Sequence, residues 1–238
     1  MSEPQLDPLA GCRAYLEAHH RQAPLSDRPA LPIITFSREA GAGAVTVAAL
    51  VAQLLNAERA PSVPPWTVFD KNLVARVLED HQLPETLNRF LPEDARPGVT
   101  GAVEEMLGLH PSAWRMAEHT TDTILRLAAL GNAILVGRGS SFITAQVQPA
   151  LHVRLVAPEE ARVAHLAEYH HLTHDEAVTY AKKADLGRRR YVKRYFSTDV
   201  ENPLHYTLVL NTGRLDYASA ARVIVAALYI CMERFASK

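Results

Sequence analysis

A short β-branched and apolar run, Ile33-Ile34-Thr35-Phe36, passes directly into Ser37-Arg38-Glu39-Ala40-Gly41-Ala42-Gly43, and that turn passes into an Ala/Val/Leu-rich stretch. Such a run reads as a strand buried on both faces, the kind found in parallel sheets covered by helices. A glycine-rich turn between such a strand and a helix is the layout of a phosphate-binding P-loop. Its backbone N–H groups and the helix N-terminus together form an anion site. The position where such loops carry lysine is Ala44 in this chain. The feature therefore constrains the fold more firmly than the chemistry.

The rest of the chain alternates strands with helices. Further strands are expected at Trp66–Phe69, Ala133–Val136, Leu151–Val156 and Thr207–Leu210. Helices are expected at Thr46–Glu58, Asn72–Asp80, Ala113–Leu130 and Tyr217–Phe235. Another helical stretch opens at Pro158-Glu159-Glu160 and continues with interruptions to about Phe196. Proline at its start and acids in its first turn suit the positive end of a helix. Gly131-Asn132 reads as a C-cap pair. Residues 1–30 read as a proline-rich, partly ordered N-terminal extension with one short helix around Cys12–His20, and 31–238 as the domain. From Pro84 to about Ser112 the pattern is broken by Pro84, Pro92, Pro97, Gly98 and Pro111, so an inserted lobe is expected there. Strands alternating with helices predict a doubly wound parallel α/β sheet, whose ligands sit beyond the C-terminal strand ends. Ser37–Thr46, Asp70, Gly137–Gly139 and Asn211 all fall at those ends, which points to one site.

Composition narrows the partners. A net charge of −1 over 238 residues provides no bulk field for nucleic acid or acidic lipid. Cys12 and Cys231 lie near opposite ends with no paired spacing, so reduced thiols in a cytoplasmic protein are expected. No uncharged apolar run reaches membrane-spanning length, and the N-terminus lacks a secretory pattern.

Several residues at the strand ends have chemistry to offer. Gly41, Ala42, Gly43, Ala44 and Val45 would present backbone N–H groups to phosphate. Thr46 either offers its hydroxyl to a metal or phosphate or caps the helix. Ser37 and Arg38 sit at the strand exit, and Arg38 is the cation nearest the loop, an able bidentate phosphate ligand but no positional equivalent of lysine. Asp70 either orders a substrate or a magnesium-bound water, or caps the next helix. Glycines on both sides of Arg138 let backbone and guanidinium approach a phosphate together. The basic stretch Lys182–Arg194 is either a solvated helix face or a lid whose arginines close over phosphates. Within it Asp185 can reach Arg188 or Arg189, and Arg190 shares a face with Arg194. His165, His170, His171 and His174 cluster without a carboxylate at motif spacing, so exposed helix histidines are expected and no structural metal.

These motifs in order resemble the cytidylate kinase-like family of P-loop proteins. The resemblance covers roughly 31–228. It rests on Ser-Arg-Glu-x-Gly-x-Gly at 37–43, Phe69-Asp70, Val-Gly-Arg-Gly at 136–139 and His-Val-Arg-Leu-Val-Ala-Pro at 152–158. Lys-Lys-x-Asp-x-x-Arg at 182–188 and Leu-Val-Leu-Asn-Thr at 208–212 complete it. It implies a three-layer P-loop NTPase fold with a five-stranded parallel sheet, an inserted helical acceptor lobe at 84–120 and a helical lid at about 175–200. It also implies phosphoryl transfer from ATP to a nucleoside monophosphate such as CMP, with Mg2+. Gly41, Gly43 and Thr46 would then cradle donor phosphates, Thr46 touching the metal. Arg138 falls on an arginine that engages the acceptor phosphate, and Asp185 and Arg188 fall on the acceptor-binding pair of the lid, with Arg194 as a neighbour. Asp70 falls near the start of the acceptor lobe. Arg38 and the lid arginines would replace the lysine charge. Two departures stand out: Gly43-Ala44-Val45-Thr46 replaces Gly-Lys-Gly-Thr, and Gly139 replaces the aspartate of Gly-Arg-Asp. The expected function is thus a nucleotide kinase acting on a small acceptor, without membrane or nucleic-acid partners. The alternative is a nucleotide-binding regulatory or inactive relative.

Overall fold

A computed structural model of the chain describes residues 8–22, 30–70 and 112–236. The expected helix at Asn72–Asp80 and the stretch from Pro84 to 111 lie outside these residues. Five parallel strands form one sheet: β1 Ile33–Arg38, β2 Thr67–Phe69, β3 Ala133–Val136, β4 Ala150–Val156 and β5 Leu208–Asn211, in the order β2-β3-β1-β4-β5. The described helices are α1 Pro8–His20, α2 Ala44–Glu58, α3 Ser112–Leu130, α4 Ser140–Ile143, α5 Glu159–His170, α6 His174–Phe196 and α7 Tyr217–Ala236.

Helices cover both faces of the sheet, because each strand sends apolar side chains alternately to either side. Ile34, Phe36, Leu151, Val153 and Leu155 pack with Val47 and Val51 of α2 and with Ile224 and Leu228 of α7. On the opposite face, Ile33, Ala133, Leu135 and Phe69 pack with α3 through Ile124 and Leu127 and with α1. The result is the expected three-layer α/β architecture.

The N-terminal helix starts at Pro8, four residues before the expected Cys12, and it belongs to the core. Cys12, Tyr15, Leu16 and His19 are buried, a stripe at i, i+3, i+4 and i+7 that only one helix face can present. The Tyr15 hydroxyl donates to the Gly131 carbonyl at 2.6 Å, and its ring meets Phe69 edge-on at 5.3 Å. Cys12 is buried and Cys231 half-buried, and neither is in a disulfide.

The helical stretch after β4 breaks cleanly into two. His171 closes α5 in the left-handed region, and Thr173 opens α6 with a reciprocal capping box. Its hydroxyl accepts from the Glu176 N–H at 3.4 Å while the Glu176 carboxylate accepts from the Thr173 N–H at 2.8 Å. The Thr-x-x-Glu spacing in the sequence carries that signal. Val163 and Leu166 of α5 and Ala177 and Ala181 of α6 then clasp Ala40 of the loop after β1. The hairpin α5–α6 is therefore seated on the loop after β1 by apolar packing as well as by charge. Among the described residues, no helix is long and apolar enough to cross a membrane.

Tyr15→Phe removes the buried hydroxyl that donates to the Gly131 carbonyl at 2.6 Å and reaches the Leu127 carbonyl at 3.4 Å. It is expected to lower stability by about 1–2 kcal/mol, read as a fall in urea midpoint with an unchanged slope.

Candidate functional site

β1, β2 and β3 end on the same side of the sheet, and their ends open into a cleft of about 550 Å³. Ser37, Arg38, Gly41, Ala42, Gly43, Ala44, Val45, Thr46, Asp70, Arg138 and Arg188 all line it. Asp185 and Arg194 do not.

The loop after β1 has donors to offer. Gly43 precedes α2 in the left-handed region with no side chain capping the helix. The first N–H groups of a helix have no intrahelical acceptor. Among the described residues, no hydrogen bond uses the N–H of Gly41, Gly43, Ala44 or Val45. The Ala42 N–H turns back to the Glu39 carbonyl at 3.3 Å. Gly41 has φ of 83°, and a Cβ there would collide with the Arg162 carbonyl, so only glycine allows α5 this close. Thr46 does not cap α2; its hydroxyl has no partner among the described residues and faces the cleft. Ala44 packs its methyl group with the core formed by α2 and the sheet.

The cations gather at the other end. Burial pushes the Arg38 guanidinium down to about 10; Arg188 and Arg138 push the same way and Asp70 opposes them. No hydrogen bond or ion pair with a described residue engages Arg38. Gly137 has φ of 83°, and any Cβ there would occupy the place of the Arg38 guanidinium. Arg138 follows at φ of 55° and Gly139 at 72°, three successive residues in a region costly for the one that is not glycine. The Tyr191 hydroxyl donates to the Arg138 carbonyl at 3.5 Å. Arg188 is also held below the ordinary arginine value by burial, with Asp185 opposing. Three guanidiniums thus crowd one cleft, and Asp70 and Asp185 are the acids that act on them.

Asp185 is expected from the sequence to act on the acceptor, and its geometry gives it another task. One carboxylate oxygen accepts from the Ala40 N–H at 2.8 Å and from Arg188 at 2.7 Å; the other accepts from Arg162 at 2.8 Å. Arg162 in turn donates to the Ala40 carbonyl at 3.2 Å and approaches Glu39 at 3.5 Å. Arg189, the other candidate partner of Asp185, pairs instead with Glu201 at 2.6 Å. Arg194 is a correction. It is six residues beyond Arg188, about 240° round a helix, and its guanidinium lies 5.8 Å from the Tyr195 ring, outside the cleft. The cleft-facing residues of α6 are Tyr180, Ala184, Gly187, Arg188, Tyr191 and Val192.

His170, His171 and His174 are exposed, as expected, whereas His165 is half-buried and lines the cleft with His170, Tyr169 and Tyr180. Among the described residues, no group of three or more His, Cys, Asp or Glu could hold a metal ion. Two buried polar pairs run across β1 and β4 beside the cleft. Thr35 meets His152 Nδ1 at 2.8 Å and Ser141 at 2.9 Å, and Arg154 donates to Ser37 at 3.1 Å. The register places both pairs side by side, Thr35 opposite His152 and Ser37 opposite Arg154. Sequence reasoning passes over Arg162 and Arg154. A lone charge inside the apolar run of β4 is the available signal for Arg154; nothing distinguishes Arg162 from a solvated helix arginine.

A family model described as the cytidylate kinase-like family matches residues 33–214. The chain belongs to the cytidylate kinase-like family. The match begins at β1 and ends just beyond β5, so it spans every strand and the whole cleft described above. A solved structure of an uncharacterized protein from Eubacterium ventriosum shares the fold at TM-score 0.59 and 17% identity, covering 83% of this chain and 98% of that one. TT1252 from Thermus thermophilus is 22% identical with TM-score 0.45, covering 84% and 99%. Shikimate kinase from Bacteroides thetaiotaomicron is 14% identical with TM-score 0.46, covering 85% and 98%. None of the curated proteins compared matches this chain.

Asp185→Asn removes the charge that both Arg162 and Arg188 face, and is expected to cost about 2–3 kcal/mol in denaturant unfolding. His152 is held below the ordinary histidine value by burial, so the fold keeps it neutral where the unfolded chain protonates. Its contribution is present above pH 6.5, the unfolded value, and is lost progressively as pH falls toward the depressed folded value. Urea midpoints measured downward from pH 7 should therefore fall less steeply in His152→Gln than in the unmodified chain.

Proposed function

We infer that this chain is an ATP-dependent phosphotransferase of the nucleoside monophosphate kinase type, with CMP or a similar monophosphate as acceptor. Membership of the cytidylate kinase-like family supports a nucleotide kinase-type function. The observation that carries the reading is the convergence of Arg38, Arg138 and Arg188 on a cleft whose other end is the loop of uncommitted N–H groups. One end suits a donor polyphosphate and the other an acceptor phosphate.

The residues present fit ATP and magnesium. Gly41, Gly43, Ala44 and Val45 would hold the donor phosphates through their backbone N–H groups, with Ala42 shaping the loop between them, and the unpartnered Thr46 hydroxyl would hold the metal. Magnesium supplies neutralisation of the developing charge on the transferring phosphates when bound. Arg138 and Arg188 orient the acceptor phosphate, and Arg38, lying against Gly137 and within the field of Asp70, contributes positive charge between the two ends. Asp70 lies where the acceptor is engaged. Asp185 acts by fixing Arg188 and the loop, so it is a positioning residue in this reading. Ser37 shapes the floor. The setting is cytoplasmic, and both partners are small molecules.

A second reading is favoured by Ala44. Its methyl group is 5% exposed within the core, so the loop itself brings no cation to the phosphates. Loss of one such charge-stabilising donor costs roughly a hundred- to a thousandfold in rate. That reading is a nucleotide-binding regulatory protein without turnover.

The two separate in one assay. With ATP, Mg2+ and a panel of monophosphates, the kinase reading expects phosphoryl transfer to at least one acceptor. It also expects Arg38→Met to slow transfer by about a hundredfold, and Ala44→Lys to raise it by a similar factor. Binding of ATP and CMP without transfer, unchanged in Ala44→Lys, would establish the regulatory reading instead. A chain whose melting temperature responds to neither nucleotide would eliminate both.

A further inference from the structure

Arg154 lies in the middle of β4 and is 5% exposed. Its guanidinium donates to Ser37 Oγ at 3.1 Å and lies 5.8 Å from the centre of the Tyr206 ring. Tyr206 completes the pocket, its hydroxyl donating to the Val200 carbonyl at 2.7 Å and lying 3.1 Å from Ser37 Oγ. Among the described residues, no carboxylate forms an ion pair with Arg154. Two other well-buried arginines are paired. Arg126 has Asp122 at 3.1 Å, and Arg162 has Asp185 at 2.8 Å. Two hydroxyls and a ring face offer weak compensation for a buried full charge. Removing such a charge ordinarily stabilises a fold.

The surroundings say where that charge acts. Ser37, bonded directly to Arg154, lines the cleft, and so do Val200 and Arg188. Arg188 experiences Arg154 as a repelling charge. Arg154 therefore adds a fourth positive charge to the crowd formed by Arg38, Arg138 and Arg188, one layer behind the surface a ligand touches. A cation fixed in a strand of a parallel sheet cannot move away from its neighbours as an exposed arginine can. Its field is felt at the cleft with less screening than that of a surface charge.

We propose that Arg154 is a positioning residue that supplies a fixed buried charge for binding a dianionic phosphate monoester at the arginine end of the cleft. The proposal rests on the reading of that end as the acceptor-phosphate subsite. The bound phosphate is the counter-charge of Arg154, reached across the Ser37 hydroxyl without direct contact.

Arg154→Met removes the charge and keeps much of the side-chain volume; Arg154→Lys keeps the charge and loses the planar fork. Thermal unfolding is measured in phosphate-free buffer, and binding is then titrated with inorganic phosphate and with CMP. Arg154→Met is expected to melt a few degrees higher than the unmodified chain while binding both probes about tenfold more weakly. Arg154→Lys is expected to bind both probes within about threefold of the unmodified chain. This opposition of stability and affinity is what a merely structural arginine does not produce. A methionine variant that melts lower or fails to fold overturns the proposal, because Arg154 would then be holding the free fold together. Equal affinity in the methionine variant and the unmodified chain overturns it too, as does an equal loss in the lysine variant. An unmodified chain that binds inorganic phosphate in an Arg154-dependent way but responds to neither ATP nor CMP supports this inference and sinks the nucleotide kinase reading alone.

Discussion

Asp185 joins the loop after β1 to the helical hairpin that covers it. Its two oxygens accept from the Ala40 N–H, Arg162 and Arg188, which belong to the loop, α5 and α6 respectively. Each of these contacts settles something else. The Ala40 bond sets the loop's exit from β1, Arg162 ties the same loop through the Ala40 carbonyl, and Arg188 is aimed across the cleft. Without this carboxylate, Arg162 and Arg188 would face each other as buried like charges. The apolar clasp of Val163, Leu166, Ala177 and Ala181 around Ala40 works in the same direction, so charge and packing agree on the seating of the hairpin.

The same economy explains how a P-loop lacking its lysine keeps a coherent electrostatic design. Ala44 gives its side chain to the core, and positive charge comes instead from elsewhere in the fold. β1 supplies Arg38, the turn after β3 supplies Arg138, β4 supplies Arg154 and α6 supplies Arg188. Four cations from four elements converge, and burial plus mutual repulsion depress those with resolved shifts, Arg38 and Arg188. A cluster of this kind is unfavourable by itself and favourable toward a multiply charged anion. Glycines make it sterically possible, since Gly137 leaves the space that the Arg38 guanidinium fills.

Much of the sheet was legible because its strands are short continuous apolar runs bounded by turn residues. β3 coincides with the expected Ala133–Val136. β1 runs two residues further than expected, through Arg38, because Ser37 and Arg38 pair with Arg154 and Leu155 of β4. α2 starts two residues early, at Ala44, since Gly43 in the left-handed region already turns the chain into the helix. α1 begins four residues before the expected Cys12, and its stripe of Cys12, Tyr15, Leu16 and His19 closes the second core. Arg194 was misplaced because shared charge and proximity in sequence say nothing about helix phase. The capping box at Thr173 sets that phase from the start of α6.

By itself the sequence determined the order of the elements, the glycine-bearing turns at the strand ends and the absence of a lysine from the loop. These are local properties, readable from neighbours within a few residues. Which charges meet was decided only by the tertiary structure. Arg154 finds Ser37 across 117 residues, and Asp185 finds Ala40 across 145. Parallel strands bring such distant residues into register, and burial then turns ordinary arginines into a strong local field. The glycine-rich turn after β1 is a local signal; the fold decided which positive charges stand around it.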